Sequence, residues 1–485
     1  MKRASIAVLA AALLCGCRKS PGMRAVLDAA AAMGGKDKIQ SVHTLTIEGQ
    51  GDNANLGQNL TPEAPLTTWN VSDFKETLDP ANGRMRIEEV RTAQFPFAGE
   101  NVEKQSMSVD GDVAWNVDAS GPSGRLTAKA AQQRRLESLR NPVSALREAL
   151  DPKAQLSHFR ETGSRQAIDV ITPAGDMLTL TMDSQTKLPV SVSTTIAHPN
   201  LGDAAVETTF GDFEDADGLK LPNRLTTKID KWPQSDIQVS KYTVNGPGEG
   251  LGAPAALKAQ LPAPAEPPVE VTTEKVAPGI WLLGGIGNHH SVAFEFADHL
   301  TLFELPESDA RARAVIEKTH SLAFGKPLTE VIISHHHFDH SAGLRVAVAE
   351  GLTIITHRGN AAFFKDLASR KRTLEPDGLA KNPTARPIRI KTVDDEMVLK
   401  DASMELDLYH VKDNSHADTL LMGWVPREHI LVQADLYDSG WLRFPWADNL
   451  KKNVEMRKLS VEKDVPVHGN VEAWADVLKT MQSRP

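Results

Sequence analysis

Residues 331–344 read Val-Ile-Ile-Ser-His-His-His-Phe-Asp-His-Ser-Ala-Gly-Leu, and this stretch decides the fold of the second half of the chain. The run 331–333 is apolar and β-branched, which predicts a buried strand. Ser334 can begin a turn, and the small residues from Ser341 onward should lead into a helix. The stretch is therefore interpreted as a strand, a polar turn and a helix.

The turn carries His335, His337, Asp339 and His340 in the spacing His-x-His-x-Asp-His. Because consecutive residues of a strand-to-helix turn point in different directions, one short loop can serve two separate metal positions. Imidazole and carboxylate groups suit zinc, which has no geometric preference from its d-electrons. A histidine-rich surface loop is the alternative interpretation, but an Asp interleaved at this spacing after an apolar strand favours a metal site.

This motif resembles that of the metallo-β-lactamase fold, and the rest of that family's pattern can be found downstream. The sequence Asn-Ser-His-Ala-Asp matches an isolated ligand at His416, and Gln-Ala-Asp-Leu matches a bridging carboxylate at Asp435. The sequence Pro-Val-His-Gly matches the final His at His468. The resemblance implies an α+β chain whose domain 271–485 is an αββα sandwich.

The resemblance also implies two Zn²⁺ ions per chain, bound by seven side chains. The expected ligands of the first site are His335, His337 and His416. Those of the second site are Asp339, His340 and His468. Asp435 is expected to bind both ions. Asp339 would also be the catalytic residue, shuttling a proton through its unligated oxygen. Ligands of these types accommodate iron or manganese as well.

Two features depart from the family pattern without removing a ligand. Many relatives carry an Asp where Glu304 stands, and whether Glu304 replaces it stays open. Ser415 stands before His416, where relatives have a Gly-His pair.

Four aromatic residues lie between 437 and 446, just after the bridging Asp, and they are interpreted either as core or as a pocket wall.

Thirteen of the sixteen histidines lie between 271 and 485, so further histidines compete for a role. His336 is expected to point into packing. His289 and His290 are expected to be exposed loop residues at the rim of the site. His357 and His410 are expected to be hydrogen-bonded neighbours of the site or surface groups.

The first residues read as an export signal. Lys2 and Arg3 precede a short apolar run at 6–14, and the sequence Leu-Cys-Gly-Cys that follows resembles a bacterial lipobox. This predicts a signal peptide over 1–17 and a lipidated Cys17, hence a periplasmic protein anchored to a membrane, with the outer membrane favoured. Plain secretion, with Cys17 as a free thiol, is the alternative. Since Cys15 is the other cysteine of the chain, a cysteine zinc site or disulfide in the folded body is excluded.

The predicted first domain, 23–245, contains short alternating runs separated by Gly, Asn, Asp and Pro, which indicate antiparallel strands. A helical stretch at 128–150 should be divided by Pro142. The stretches 181–190 and 212–222 resemble hairpins of the periplasmic lipoprotein carriers. That resemblance implies a curved antiparallel half-barrel with helices, which would be a structural spacer or would bind an apolar ligand.

A Pro- and Gly-rich linker is predicted over 246–270 and is expected to be extended where Pro dominates. Of the 485 residues, 41% are hydrophobic and 24% charged, which excludes a disordered or wholly membrane-embedded chain. The net charge of −9 gives no indication of nucleic-acid binding.

The function predicted from these features is a dinuclear zinc hydrolase. It would use a metal-activated water on an ester, lactone, thioester or amide, with a small-molecule substrate in the periplasm. One alternative is a mononuclear-iron dioxygenase of the persulfide type. The other is a lipid- or lipoprotein-handling module with a metal-binding scaffold domain.

Overall fold

The computed structural model describes residues 19–95, 101–265, 269–285, 289–382, 384, 386–438 and 446–483. The predicted signal peptide, including Cys15 and Cys17, lies outside the described residues. So does the middle of the aromatic stretch, 439–445. Within the described part of the chain, no helix combines the length and the apolar character needed to cross a membrane.

The first half of the chain forms a large antiparallel sheet with helices. Its strands are β1 (Leu45–Ala54), β2 (Thr68–Asp79), β3 (Arg84–Ala93), β4 (Val102–Asp110), β5 (Val113–Asp118), β6 (Gly121–Pro122), β7 (Gln155–Thr162), β8 (Arg165–Ile171), β9 (Met177–Asp183), β10 (Pro189–His198), β11 (Gly202–Ala216), β12 (Leu219–Ile229) and β13 (Trp232–Val244). Its helices are α1 (Pro21–Ala32), α2 (Lys36–Gln40), α3 (Ala128–Leu139) and α4 (Pro142–Ala149).

These thirteen strands lie in the order β6-β5-β4-β3-β2-β1-β13-β12-β11-β10-β9-β8-β7, so the pairing of β1 with β13 joins two meanders. Val26, Val143 and Leu146 of the helices pack with strand residues in one core. The predicted helical stretch is divided as expected: the Asn141 side chain accepts a hydrogen bond from the Val143 amide (2.9 Å), with Pro142 in the first helical position. The described sheet is open, and the half-barrel stays a prediction.

The connecting stretch is packed against the first sheet rather than extended throughout. It contains a short helix, α5 (Ala255–Lys258). Leu251 and Leu257 are buried, and Leu257 belongs to a small core with Val113 and Trp115 of β5. Residues 266–268 of the predicted linker lie outside the described residues. Apolar side chains within a Pro-rich stretch therefore fix its path over the sheet.

The second half contains two mixed sheets. Seven strands form the first sheet: β14 (Val271–Ala277), β15 (Ile280–Gly285), β16 (Ser291–Glu295), β17 (Leu300–Phe303), β18 (Leu328–Ile332), β19 (Thr353–His357) and β20 (Arg389–Val393). Six strands form the second: β21 (Glu396–Lys400), β22 (Glu405–His410), β23 (Leu421–Val425), β24 (Ile430–Gln433), β25 (Lys463–Pro466) and β26 (Glu472–Ala473).

The helices of this half are α6 (Asp309–His320), α7 (Phe338–Ser341), α8 (Leu344–Ala349), α9 (Ala361–Ser369), α10 (Gly378–Lys381), α11 (Ala447–Met456) and α12 (Trp474–Ser483), with 3₁₀ turns at Arg358–Asn360 and Pro426–Glu428. Ile332 belongs to the core between the two sheets, while Val331 and Ile333 belong to the core that includes α6, α8 and α9. Another core joins the six-stranded sheet to α11 and α12. The layer order is helix, sheet, sheet, helix, which is consistent with the predicted sandwich.

The two halves share a hydrophobic core. Leu201 and Trp232 of the first half are buried in the same core as Phe363 on α9. Polar contacts accompany it: Arg370 is paired with Asp230 at 2.5 Å. The first sheet is thereby held against the second half beside the histidine turn. The division into domains 23–245 and 271–485 stays a prediction.

Candidate metal centre

The histidine turn follows β18, as the sequence predicts. The Ser334 amide donates to a carboxylate oxygen of buried Glu304 (2.8 Å), which comes directly after β17. Because β17 and β18 are parallel, their carboxyl ends meet at one edge of the sheet. His335 and His337 lie in the turn, and His340 lies on α7; all three are buried.

The same edge receives side chains from the second sheet. Asp435 follows β24 and His468 follows β25, which is parallel to β24. His416 lies between β22 and β23, where the Asn414 side chain accepts hydrogen bonds from the His416 amide (2.8 Å) and the Ala417 amide (3.1 Å). The seven predicted ligands, separated by up to 133 residues, therefore converge on one place.

Two groups of side chains there could each hold a metal ion. In each group, one ligand atom per residue lies within 4.8 Å of the others. The groups are His335, His337, His416 and Asp435, and His289, Asp339, His340 and His468.

Asp435 faces both groups. Its Oδ2 lies 3.2 Å from His335 Nε2 and 3.0 Å from His416 Nε2. The same oxygen lies 2.8 Å from His340 Nε2, and Oδ1 lies 2.8 Å from His468 Nε2. One carboxylate is therefore within reach of imidazoles of both groups, which is the geometry expected of a bridging ligand.

The backbone at Asp435 is held in the left-handed region, with φ of +55°. Asp tolerates this conformation better than most residues. The Gln433 side chain stabilises the turn, because its oxygen accepts from the Leu436 amide (3.0 Å) and its amide donates to the Tyr437 carbonyl (2.8 Å). The Trp446 indole N–H donates to the Asp435 carbonyl. The carboxylate is thus fixed by its own turn.

The charges of the site follow from burial and proximity. Burial lowers the pKa of His335 to about 4, and it lowers that of His337 well below the usual value, helped by the neighbouring histidines. Burial would raise the pKa of Asp435, but His340 and His468 outweigh it and hold that pKa well below its usual range. His335, His337 and Asp435 therefore have the neutral imidazole and ionised carboxylate forms that bind metals. Against the effect of burial, Asp435 and Asp339 raise the pKa of His340 well above its usual value, and Asp435 raises that of His468, so an ion bound there would displace their protons.

The ring nitrogens are oriented for the same purpose. His335 Nδ1 lies 2.9 Å from the Ser334 hydroxyl, so its Nε2 faces Asp435. His337 Nε2 donates to the carbonyl of Asn59 at 2.9 Å. His337 Nδ1 is buried and has no hydrogen-bond partner among the described residues. The donor set therefore fits a metal ion, and one nitrogen is unsatisfied without one.

Asn59 belongs to the β1–β2 segment (residues 55–67), which reaches the site from the first half of the chain. Gln58 Nε2 donates to Asp339 Oδ1 at 2.9 Å. The Phe338 amide donates to the Gly57 carbonyl at 3.3 Å, and the Asp418 amide donates to the Leu60 carbonyl at 2.9 Å. Nothing in the local sequence of this Asn-, Gly- and Pro-containing stretch indicates such a role.

His289 is a second residue that sequence reasoning misjudged. It lies beside the site as expected but is not an exposed residue, because its side chain is only 21% exposed and its Nε2 lies 3.6 Å from Asp339 Oδ2. Its backbone pairs with His468. Buried Arg311 donates to the Leu283 carbonyl (3.0 Å) and to the His289 carbonyl (3.3 Å), which ties His289 to β15. Gly287 and Asn288, on which the expectation rested, lie outside the described residues.

His290, also expected to be exposed, is partly buried, and its amide donates to the Val467 carbonyl at 2.7 Å. Three further histidines lie in the histidine turn or at the ends of β19 and β22. His336 is buried, with Nδ1 3.3 Å from the Thr419 hydroxyl, as a packing role requires. His410 donates to the Asp418 carbonyl at 2.6 Å, and its ring lies 4.2 Å from that of His357. These residues support loops of the site and do not belong to either candidate group.

Two further sequence questions concern groups close to the ligands. Glu304 is fully buried, with Oε2 3.5 Å from His340 Nδ1, so it contacts a candidate ligand from behind the site. Of the four aromatic residues, Tyr437 is buried in the core with α11 and α12. The Trp446 ring lies 4.7 Å from that of His416 and contributes a wall to the site. The other two lie outside the described residues.

No family model matches the chain. No curated protein matches it. Among solved structures, the chain is similar to DIM-1 metallo-β-lactamase, at 15% identity and a TM-score of 0.35, over 44% of this chain and 97% of that chain. It is also similar to a metallo-β-lactamase from Pontibacter korlensis, at 14% identity and a TM-score of 0.35, over 44% of this chain and 98% of that one. At this level of similarity, the arrangement of His and Asp side chains is the basis for assigning chemistry.

Proposed function

We propose that the chain is a metal-dependent hydrolase with a dinuclear zinc centre. The observation that carries the proposal is the position of Asp435, whose two carboxylate oxygens face both candidate groups. The proposed ligands are His335, His337 and His416 for one ion, and Asp339, His340 and His468 for the other, with Asp435 between them. His289 is an additional candidate for the second ion.

Zinc is favoured by the donor set. Neutral imidazoles and carboxylates suit it, and no thiol is present between 19 and 485. When bound, zinc supplies a water whose pKa is lowered to about 7 and polarises a substrate oxygen. Buried side chains around the ligands exclude bulk water, which strengthens every charge interaction in the site.

Asp339 is the proposed proton-carrying residue. Its Oδ1 accepts from the Gln58 amide (2.9 Å), and its Oδ2 lies 3.3 Å from His340 Nε2. Burial would raise the pKa of Asp339, but His340, supported by His289, holds it well below its usual range. The carboxylate therefore stays ionised, which both metal binding and the acceptance of a proton require. Esters, lactones, thioesters and amides are the proposed substrates.

The experiment is metal analysis of the purified protein together with turnover of an ester, a lactone, a thioester and an amide. We expect two equivalents of zinc, loss of turnover with a chelator and its return with zinc. Asp435→Asn should lower turnover by about 10²-fold or more, since it removes the shared charge. Asp298→Asn is the matched control, because that side chain is 88% exposed. Turnover that persists after complete metal removal would contradict the proposal.

The mononuclear-iron alternative is separated by the same analysis. Iron at one equivalent per chain, with consumption of dioxygen in the presence of a persulfide, would support the dioxygenase in place of the hydrolase.

A lipid-handling role concerns the first half of the chain and needs a separate test. The cavity there, about 260 Å³, is lined by the ionisable residues Glu89, Arg91 and Arg140 beside apolar ones such as Phe74 and Met107. An acyl chain would desolvate the ionisable side chains, so binding of a fluorescent apolar probe is expected to be absent.

Export and lipid anchoring are proposed from the first residues. Lys2, Arg3, the apolar run and Cys17 support a lipoprotein signal with periplasmic location and an outer-membrane anchor. In a bacterial host, mature protein should begin at Cys17 and carry acyl chains by mass spectrometry. Cys17→Ala should move it out of the membrane fraction, whereas Cys15→Ala should not. An unmodified mature Cys17 would leave secretion as the explanation.

A further inference from the structure

The β1–β2 segment crosses from the antiparallel sheet to the candidate metal centre. Gln58 and Asn59 each make one hydrogen bond to a proposed ligand, at 2.9 Å in both cases. The contacts join positions 278 and 281 residues apart. Gly57 and Leu60, on either side, bond to the backbone of Phe338 and Asp418. Four consecutive residues of the segment are therefore engaged by the two loops that carry proposed ligands.

We infer that the β1–β2 segment is a positioning element of the metal centre, which makes the first half of the chain a structural part of the site. The inference rests on the proposed metal centre. The Asn59 carbonyl would orient His337, and the Gln58 amide would orient Asp339. The proposed zinc affinity would then depend on residues outside the domain that supplies the ligands.

The argument for His337 concerns its two nitrogens. A carbonyl oxygen can only accept, so it requires the proton of the neutral ring to be on Nε2. The lone pair is then on Nδ1, which is buried and has no hydrogen-bond partner among the described residues. Acceptors of this kind fix the tautomer and the ring orientation of metal-binding histidines. Here the acceptor comes from the other half of the chain.

The argument for Asp339 concerns its two oxygens. The Gln58 amide donates to Oδ1, while Oδ2 faces His340 at 3.3 Å and His289 at 3.6 Å. A donor on Oδ1 leaves Oδ2 as the oxygen directed at the histidines of the second group. It also restrains rotation of the carboxylate, which a solvent contact would not do.

The segment is shaped for this contact. The Asn59 side chain is buried and donates to the carbonyls of Thr61 (2.5 Å) and Ala64 (3.1 Å), which closes the segment on itself. Gly57 has φ of +79°, and a Cβ there would lie 2.4 Å from the Phe338 ring. Only glycine satisfies both conditions, so the backbone is able to approach the histidine turn.

The experiment measures metal affinity in the full chain. Gln58→Met keeps the volume and removes the donor, and Asn59→Ala removes the internal closure. Glu63→Gln is the matched control in the same segment, because the Glu63 side chain is 79% exposed. Each variant is titrated with Zn²⁺ against a chromophoric chelator, and the Co²⁺ form is examined by visible absorption. Thermal unfolding of the metal-free variants establishes that each one is folded.

We expect Gln58→Met to lower the affinity of the protein for one ion by about 10- to 100-fold and to change the Co²⁺ spectrum. Glu63→Gln should have the affinity and the spectrum of the wild type. Asn59→Ala should lower the affinity for the ion that His337 would bind. Wild-type affinity and spectra in both variants, beside a wild type that binds metal, would overturn this inference and leave the hydrolase intact. Weakened variants of a protein that binds metal but turns over no substrate would support it while the proposed reaction fails. A wild type that binds no metal would overturn both.

Discussion

Asp464 provides a quantitative test of how the strands behind the site are stabilised. It is fully buried on β25, where Oδ2 accepts from Gln433 Nε2 at 3.2 Å and Oδ1 has no partner among the described residues. Burial raises the pKa of Asp464 to about 8; nearby Glu472 adds to the shift, while the bond from Gln433 opposes it. The carboxyl group is therefore protonated in the folded protein near neutral pH.

The direction of the pH effect follows from the two states. The unfolded chain has the ordinary Asp pKa of 3.8, whereas the folded value is about 8, so the folded state holds a proton that the unfolded state releases. Stability contributed by Asp464 is complete below about pH 4 and falls as the pH rises toward 8. Between about pH 6 and about pH 8, the loss from this group is about 2 kcal/mol.

Asp464→Asn removes the titration and keeps an oxygen for Gln433. Denaturant unfolding, followed by tryptophan fluorescence at both pH values, should show a smaller pH-dependent loss in the variant, by about 2 kcal/mol. Glu76, whose pKa burial also raises to about 8, titrates equally in both proteins and cancels from the difference. An identical pH-dependent loss in the wild type and the variant would refute the reasoning.

Three other results are expected. Arg345→Met removes the 2.6 Å partner of Asp377 and leaves Arg372, at 3.3 Å, as its remaining ion pair, so the free energy of unfolding should fall by about 1–3 kcal/mol in denaturant titration; an unchanged value would contradict this. Gly343→Ala places a Cβ 2.6 Å from that of Leu305 and 2.7 Å from that of Ala312, so calorimetry should show a loss of about 1–3 kcal/mol, not a gain. Zinc added at about 1,000 times its Kd should raise the free energy of unfolding of the metal-free protein by about 4 kcal/mol. An unchanged unfolding temperature would argue against binding to the folded state.

Local chemistry explains which parts of the fold could be predicted from the sequence. Pro142 divides the helical stretch because proline has no N–H to donate inside a helix, and its ring suits a first helical turn. It accordingly stands at the first position of α4. The run 331–333 predicts its strand because β-branched side chains suit a buried sheet, and its alternate residues do enter different cores. The turn residues of 181–190 and 212–222 likewise predict the hairpins formed by β9 with β10 and by β11 with β12.

The parts that could not be predicted depend on contacts between distant residues. The pattern of His416, Asp435 and His468 could be found because each lies in a short motif near a strand end. Gln58 and Asn59 lie in a stretch whose composition indicates only a loop, and their role exists through contacts nearly 280 residues away. His289 was misjudged for a related reason: a histidine after Gly and Asn reads as exposed, while its ring is partly covered by distant Asp339 and His468.

The contacts of the β1–β2 segment connect the stability of the interface to the chemistry of the site. Trp232 and Phe363 share a core at that interface, and Asn200 Nδ2 donates to the Phe338 carbonyl (3.2 Å) at the start of α7. Asp339 and His340 are the next residues of that helix, so a shift between the halves would move two proposed ligands at once. A site whose carboxylate must face histidines within about 3 Å tolerates little such movement. If the β1–β2 segment positions the ligands as we infer, the shared core of the two halves stabilises the geometry on which metal binding would depend.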